Sequence, residues 1–145
     1  MVTDNKETNL GLPWLMLTVT FAIHVIDEAA NDFLAIYNPA VVKIRDSIPF
    51  LPIPNFSFGI WITGLIILIL ILFVLLPFAY RNAGWILKLS YLYGIVMLLN
   101  GIGHILGSIA LRDFMPGVYS APLLLITSLY FLRNTLKVKE IRKLN

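Results

Sequence analysis

The chain has 145 residues, 59% of them hydrophobic and 13% charged, with a mean hydropathy of +0.85. Soluble domains carry about a quarter charged residues, so this composition excludes an ordinary soluble domain and points to one small all-α integral membrane domain. Cysteine is absent, which excludes disulfides, thiolate metal sites and cysteine nucleophiles. The net charge of +3 comes mainly from KVKEIRKLN at the C-terminal end, a pattern of cytoplasmic tails rather than of nucleic-acid binding. The start, MVTDNKETNL, lacks the basic opening of a signal peptide.

A spanning helix needs about 20 apolar residues, and four stretches meet that measure. The first runs over 12–37: Leu12 to Ile26 is apolar, Asp27 and Glu28 interrupt, and Ala29, Ala30, Phe33, Leu34, Ala35 and Ile36 continue it. The expectation there is one helix with a polar stripe. Prolines 39, 49, 52 and 54 follow; each removes a backbone donor and clashes with the preceding turn. They predict a Pro-rich interfacial loop, with a short helix over 40–48 and extended chain over 49–55. The second span, 58–80, has no charged side chain, and the third, 85–111, is polar mainly at Lys88, Asn100 and His104. The fourth, 115–133, is closed by Arg133, and a basic tail fills 134–145. The expected architecture is a four-helix transmembrane bundle forming a single domain.

Four spans put both termini on one side. Lys6, Arg81, Lys88, Arg133, Lys137, Lys139, Arg142 and Lys143 then share that side, against Lys43, Arg45 and Arg112 opposite. The bias predicts cytoplasmic termini in a prokaryotic plasma membrane. Trp14, Trp61, Trp85, Tyr80 and Tyr119 fall near the expected helix ends, where interfacial aromatics gather.

The polar residues inside the spans are patterned. His24, Asp27, Glu28 and Asn31 occupy i, i+3, i+4 and i+7, one face of a helix, and Thr20 extends the stripe by a turn. On the third span Asn100 and His104 are i, i+4, preceded by Tyr93 and Met97 and followed by Ser108. The two spans run parallel, and at 1.5 Å per residue His24 and His104 differ in depth by about 10 Å. Glu28 and Asn31 lie toward the same exit as His104, so the stripes can meet. Ionisable groups within a membrane are costly, face the bundle interior and mark function.

Two histidines and a carboxylate are a common zinc ligand set that leaves one coordination position open. The second carboxylate can then orient a histidine or act as general base. A di-iron centre on four helices needs more carboxylates. Without a metal, the same groups can move protons between a paired acid and base. Simpler readings stand beside these. Asp27, Glu28, Asn31 and Asp32 also suit a short helix emerging into water, and His104 a packed histidine bonded to a carbonyl. The two stripes also suit a purely structural contact. Gly103 and Gly107 form a G-x-x-x-G, which points to close helix packing. Arg112 with Asp113 suits an interfacial ion pair, or Arg112 an anionic head-group ligand.

Taken in order, His24-x-x-Asp27-Glu28, Asn100-x-x-x-His104 and Arg112-x-x-x-Pro116-Gly117 resemble the HXXEE family of small integral membrane proteins. That family is named for a His-x-x-Glu-Glu motif; Asp27 stands where the name has Glu, one methylene shorter. The resemblance implies that His24, Asp27, Glu28, Asn100 and His104 form one functional set. It implies no particular reaction.

The functional expectation is a membrane-embedded enzyme acting on a lipidic or apolar small molecule. His24, Glu28 and His104 would bind a metal, zinc being the first choice, for hydrolysis. Asp27, Asn31, Asn100, Tyr93 and Arg112 would orient ligands or substrate. One alternative is metal-free acid–base isomerisation or cyclisation of an isoprenoid-like substrate. Another is cation or proton binding or transport, which needs a polar path to both surfaces. The stripe instead thins toward the cytoplasmic end, where Leu15, Met16 and Leu17 precede Thr20. No nucleotide loop or serine-nucleophile motif is present.

Overall fold

Backbone groups shielded from water must satisfy one another, which favours helices, and the only regular structure among the described residues, 9–144, is helical. The computed structural model contains α1 (Gly11–Ala30), α2 (Leu34–Ser47), α3 (Phe58–Tyr80), α4 (Gly84–Leu111) and α5 (Ala121–Leu144). Lys6, with the rest of residues 1–8, and Asn145 lie outside the described residues.

Three helices, α1, α3 and α4, are long and apolar enough to cross a membrane, where the sequence reading expects four. The helix α5 is not among them, because Arg133, Lys137, Lys139, Glu140, Arg142 and Lys143 fall in its second half. It begins at Ala121 rather than near 115, and it continues through the expected tail to Leu144. No glycine or proline interrupts it after Pro122, and lysine, arginine and leucine are good helix formers.

The expected single helix over 12–37 is two helices. Asp32 takes a left-handed conformation, φ 53°, and the Phe33 N–H reaches back to Glu28 O at 3.0 Å. That six-residue closure is a Schellman-type end, with aspartate where glycine is usual. The same device ends α3, with Asn82 at φ 49° and Ala83 N–H on Phe78 O, and α4, with Arg112 at φ 54° and Asp113 N–H on Ser108 O. Pro39 does not break the chain as expected but lies inside α2. Beside it, Asn38 pairs with the Phe56 backbone through two hydrogen bonds, 2.9 and 3.0 Å, and so ties residues 48–57 back along α2.

The packing order is α3–α1–α5–α4, since α1 lies against both α3 and α5, and α5 also against α4. Helix α1 is half buried and α3 almost wholly exposed, so α1 is central and α3 peripheral. The core holds Trp14, Leu17, Phe21, Met97, Leu124 and Phe131. Trp14 donates to Leu72 O at 2.8 Å and its ring meets Tyr93 and Phe131 at 5.3 and 5.8 Å. This aromatic plug fills the bundle at the α1 N-terminal end. The polar residues lie at the other end.

Candidate functional site

His24 and Glu28, one turn apart on α1, face His104 on α4, and all three are buried. Glu28 Oε1 is 3.0 Å from His104 Nε2 and 3.6 Å from His24 Nε2. The two imidazoles meet edge to face with centroids 4.7 Å apart. Asn100 Oδ1 lies 3.2 Å from His24 Nε2. The two sequence stripes therefore converge.

Asp27 joins them from behind through a residue the sequence reading does not single out. Asp27 Oδ2 accepts the Ser120 hydroxyl at 2.7 Å and the Ser120 backbone N–H at 2.9 Å, and Asp27 Oδ1 accepts from Asn31 Nδ2 at 2.9 Å. Asp27 thus meets donors at both of its oxygens. Ser120 then has spent its one proton, so its oxygen accepts from His24 Nδ1 at 2.8 Å. His24 thus donates from Nδ1 and turns Nε2 to Glu28 and Asn100. The Asp27 carboxylate also sits at the N-terminus of α5, where the helix dipole favours negative charge.

Gly117 lets this happen. Its φ is +89°, and a Cβ there would stand 2.7 Å from His104 Nδ1 and 3.0 Å from His24 Cε1. The backbone of the α4–α5 connection lies against both rings, and Ser108 Oγ pins that connection by accepting Met115 N–H at 2.8 Å.

Of the remaining expected site residues, Asn31 sits at the exposed rim, bonded to Asp27. Tyr93 is not in the site: it lies in the aromatic plug, its hydroxyl on Thr18 at 3.3 Å. Arg112 is exposed at the end of α4 and lines a separate hollow with Ser108 and Phe114. It makes no ion pair with Asp113 among the described residues; Asp113 instead accepts Phe114 N–H at 2.7 Å. The G-x-x-x-G divides: Gly107 is packed against Met115, while an added Cβ at Gly103 would meet nothing.

His24, Glu28 and His104 each offer one donor atom, all within 4.8 Å of one another, and can hold a metal ion. Bonds of 2.0–2.1 Å around a tetrahedral ion set neighbouring donors about 3.4 Å apart, between the two separations to Glu28. The other ring nitrogen of His24 also has the acceptor, Ser120 Oγ, that metal-bound imidazoles require. His104 does not, since its Nδ1 is buried without a hydrogen-bond partner among the described residues. Glu28, Asn100 and His104 form the polar part of a cavity of about 500 Å³ walled by Phe21, Leu65, Val96 and Met97 among others.

A family model described as a protein of unknown function with HXXEE motif matches residues 14–131. No curated protein and no solved structure matches the chain.

Proposed function

Because the chain belongs to the HXXEE family, whose function is unknown, we propose a role from its site: a membrane-embedded hydrolase of a lipidic substrate that uses a metal ion, zinc first. The observation that carries this reading is the buried His24–Glu28–His104 set at the end of an apolar cavity, with His24 oriented by Asp27 through Ser120. Zinc suits two imidazoles and one carboxylate, and supplies polarisation of a carbonyl and acidification of a water. His24, Glu28 and His104 would hold the ion, with one Glu28 oxygen left free. That oxygen can take a proton from water as the water oxygen bonds to the acyl carbon. The acyl C–O bond then breaks, and the proton passes to the departing alcohol. Asn100 orients the substrate carbonyl.

In this reading the apolar first half of α5 completes a four-helix bundle in the membrane, and the proline-containing 48–57 segment lies in the interface with α2. The charge bias supports cytoplasmic termini. The aromatic plug at Trp14, Tyr93 and Phe131 supports a closed pocket over a transport path.

One observation favours a second reading. The unpartnered His104 Nδ1 is cheaper as a lone pair than as the N–H donor it becomes when Nε2 binds a metal. In that state His104 Nε2–H donates to Glu28, and the pair serves as acid and base for isomerisation without a metal.

Elemental analysis of protein purified without chelators tests the choice. The expected result is about one zinc per chain, lost in His24→Ala and His104→Ala, with ester hydrolysis in mixed micelles abolished by chelation. Absence of stoichiometric metal after zinc reconstitution would sink the metal reading and leave the acid–base one.

A further inference from the structure

The cavity at the cluster has a shape that speaks to its occupant. It is lined mostly by α3 and α4, and its walls Leu68 and Val96 are 41% and 46% exposed. The mouth is therefore apolar and on the flank of two helices that can cross a membrane. A second cavity of about 410 Å³ shares Phe33, Trp61 and Leu65 with the first and runs on to Tyr37 and Phe56. The Phe33 ring lies between them, 5.9 Å from Trp61 and 5.6 Å from His104. The two adjoin at Phe33, Trp61 and Leu65 and together make an apolar trough whose ionisable groups, Glu28 and His104, lie with Asn100 in the first cavity.

Two glycines keep the trough wide. Gly103 lines the first cavity and Gly64 the second, and an added Cβ would meet nothing within 4 Å at either. A glycine inside a helix costs about 1 kcal/mol against alanine. Neither glycine is required by backbone conformation or by a close neighbour, so what each provides is room.

We propose that this trough binds a lipid with a single hydrocarbon chain and a neutral carbonyl end group, entering sideways from the bilayer. The carbonyl lies at Asn100 and His104, and the chain passes Phe33 and Trp61 toward Tyr37 and Phe56. At about 30 Å³ per methylene-sized group, the liquid share of a water, the first cavity of about 500 Å³ holds roughly 17 such groups, about the size of one long hydrocarbon chain. Glu28 disfavours a charged carboxylate at that end. The identity of the bond broken rests on the hydrolase reading; the binding does not.

The test uses the full chain in phosphatidylcholine vesicles, with bromine-labelled methyl palmitate as the probe and Trp61 fluorescence as the readout. Saturable quenching, reversed by unlabelled methyl palmitate and absent in Trp61→Phe, is expected. Gly103→Leu and Gly64→Phe should each weaken it at least tenfold with helicity and melting unchanged, since both side chains enter open space. A two-chain phospholipid at equal bromine content should quench several-fold less. Equal quenching by the two-chain lipid, or full binding in both glycine variants, overturns the proposal. Metal content of the same preparations separates the two readings. Saturable binding without metal keeps the trough and removes the metal enzyme, and metal without saturable binding does the reverse.

Discussion

Ser120 Oγ stands 2.8 Å from His24 Nδ1 and 2.7 Å from Asp27 Oδ2, so one hydroxyl couples a carboxylate on the rim of α1 to an imidazole in its interior. Outer partners of this kind are worth 10–100-fold in metal affinity. Ser120→Ala is therefore expected to weaken zinc binding by that factor, measured by competition with a chelating dye in detergent. Ser120→Thr, which keeps the hydroxyl, should retain most of the affinity. Nitrogen NMR of the His24 ring adds a readout that packing alone would not move: the Nδ1–H tautomer should dominate in the parent and lose dominance in Ser120→Ala.

Gly117 is expected to tolerate no side chain. Its positive φ costs an L-residue about 1–2 kcal/mol, and the added methyl would displace two buried rings. Gly117→Ala should lower unfolding stability by more than 2 kcal/mol in a denaturant titration and reduce metal occupancy with it. Gly103→Ala, where an added Cβ meets nothing, is the paired control and should leave both unchanged or raise stability slightly.

Arg112 is expected to be replaceable with profit. Its φ of 54° places a long side chain in a left-handed conformation that glycine adopts at no steric cost. Arg112→Gly should stabilise the protein by about 1 kcal/mol, read from the melting midpoint in detergent, and leave zinc affinity unchanged. A loss of zinc affinity would instead tie Arg112 to the site, from which it now lies apart.

What was legible in the sequence follows from which interactions are local. The helices α3 and α4 stand out because long, mostly apolar runs leave few alternatives, and the i, i+4 spacings of His24–Glu28 and Asn100–His104 fix their faces whatever surrounds them. The break at 31–33 is not visible in the same way, since Asp32 takes the position that glycine would have advertised. The start of α5 carried a signal, Ser120 before Ala121 and Pro122, which suits a helix N-terminus. The hydrophobic run, however, begins at 115 and sets the expected start there, which leaves Ser120 inside the span. Arg133 onward reads as a tail by charge alone, yet nothing there stops a helix. Phe33 and Trp61 become neighbours only through the fold, so no spacing in the chain announces the trough.

Zinc binding itself should depend on pH with a definite sign. A metal ion binds the unprotonated imidazole nitrogens of His24 and His104 and the Glu28 carboxylate, so protons compete for the same atoms. Affinity should fall as pH is lowered, by up to about a hundredfold per unit where both imidazoles must lose a proton to bind. His104→Ala should bind more weakly at every pH and show a shallower slope, approaching tenfold per unit, because one competing imidazole is gone. A slope unchanged by His104→Ala would remove His104 from the ligand set and return it to pairing with Glu28 alone.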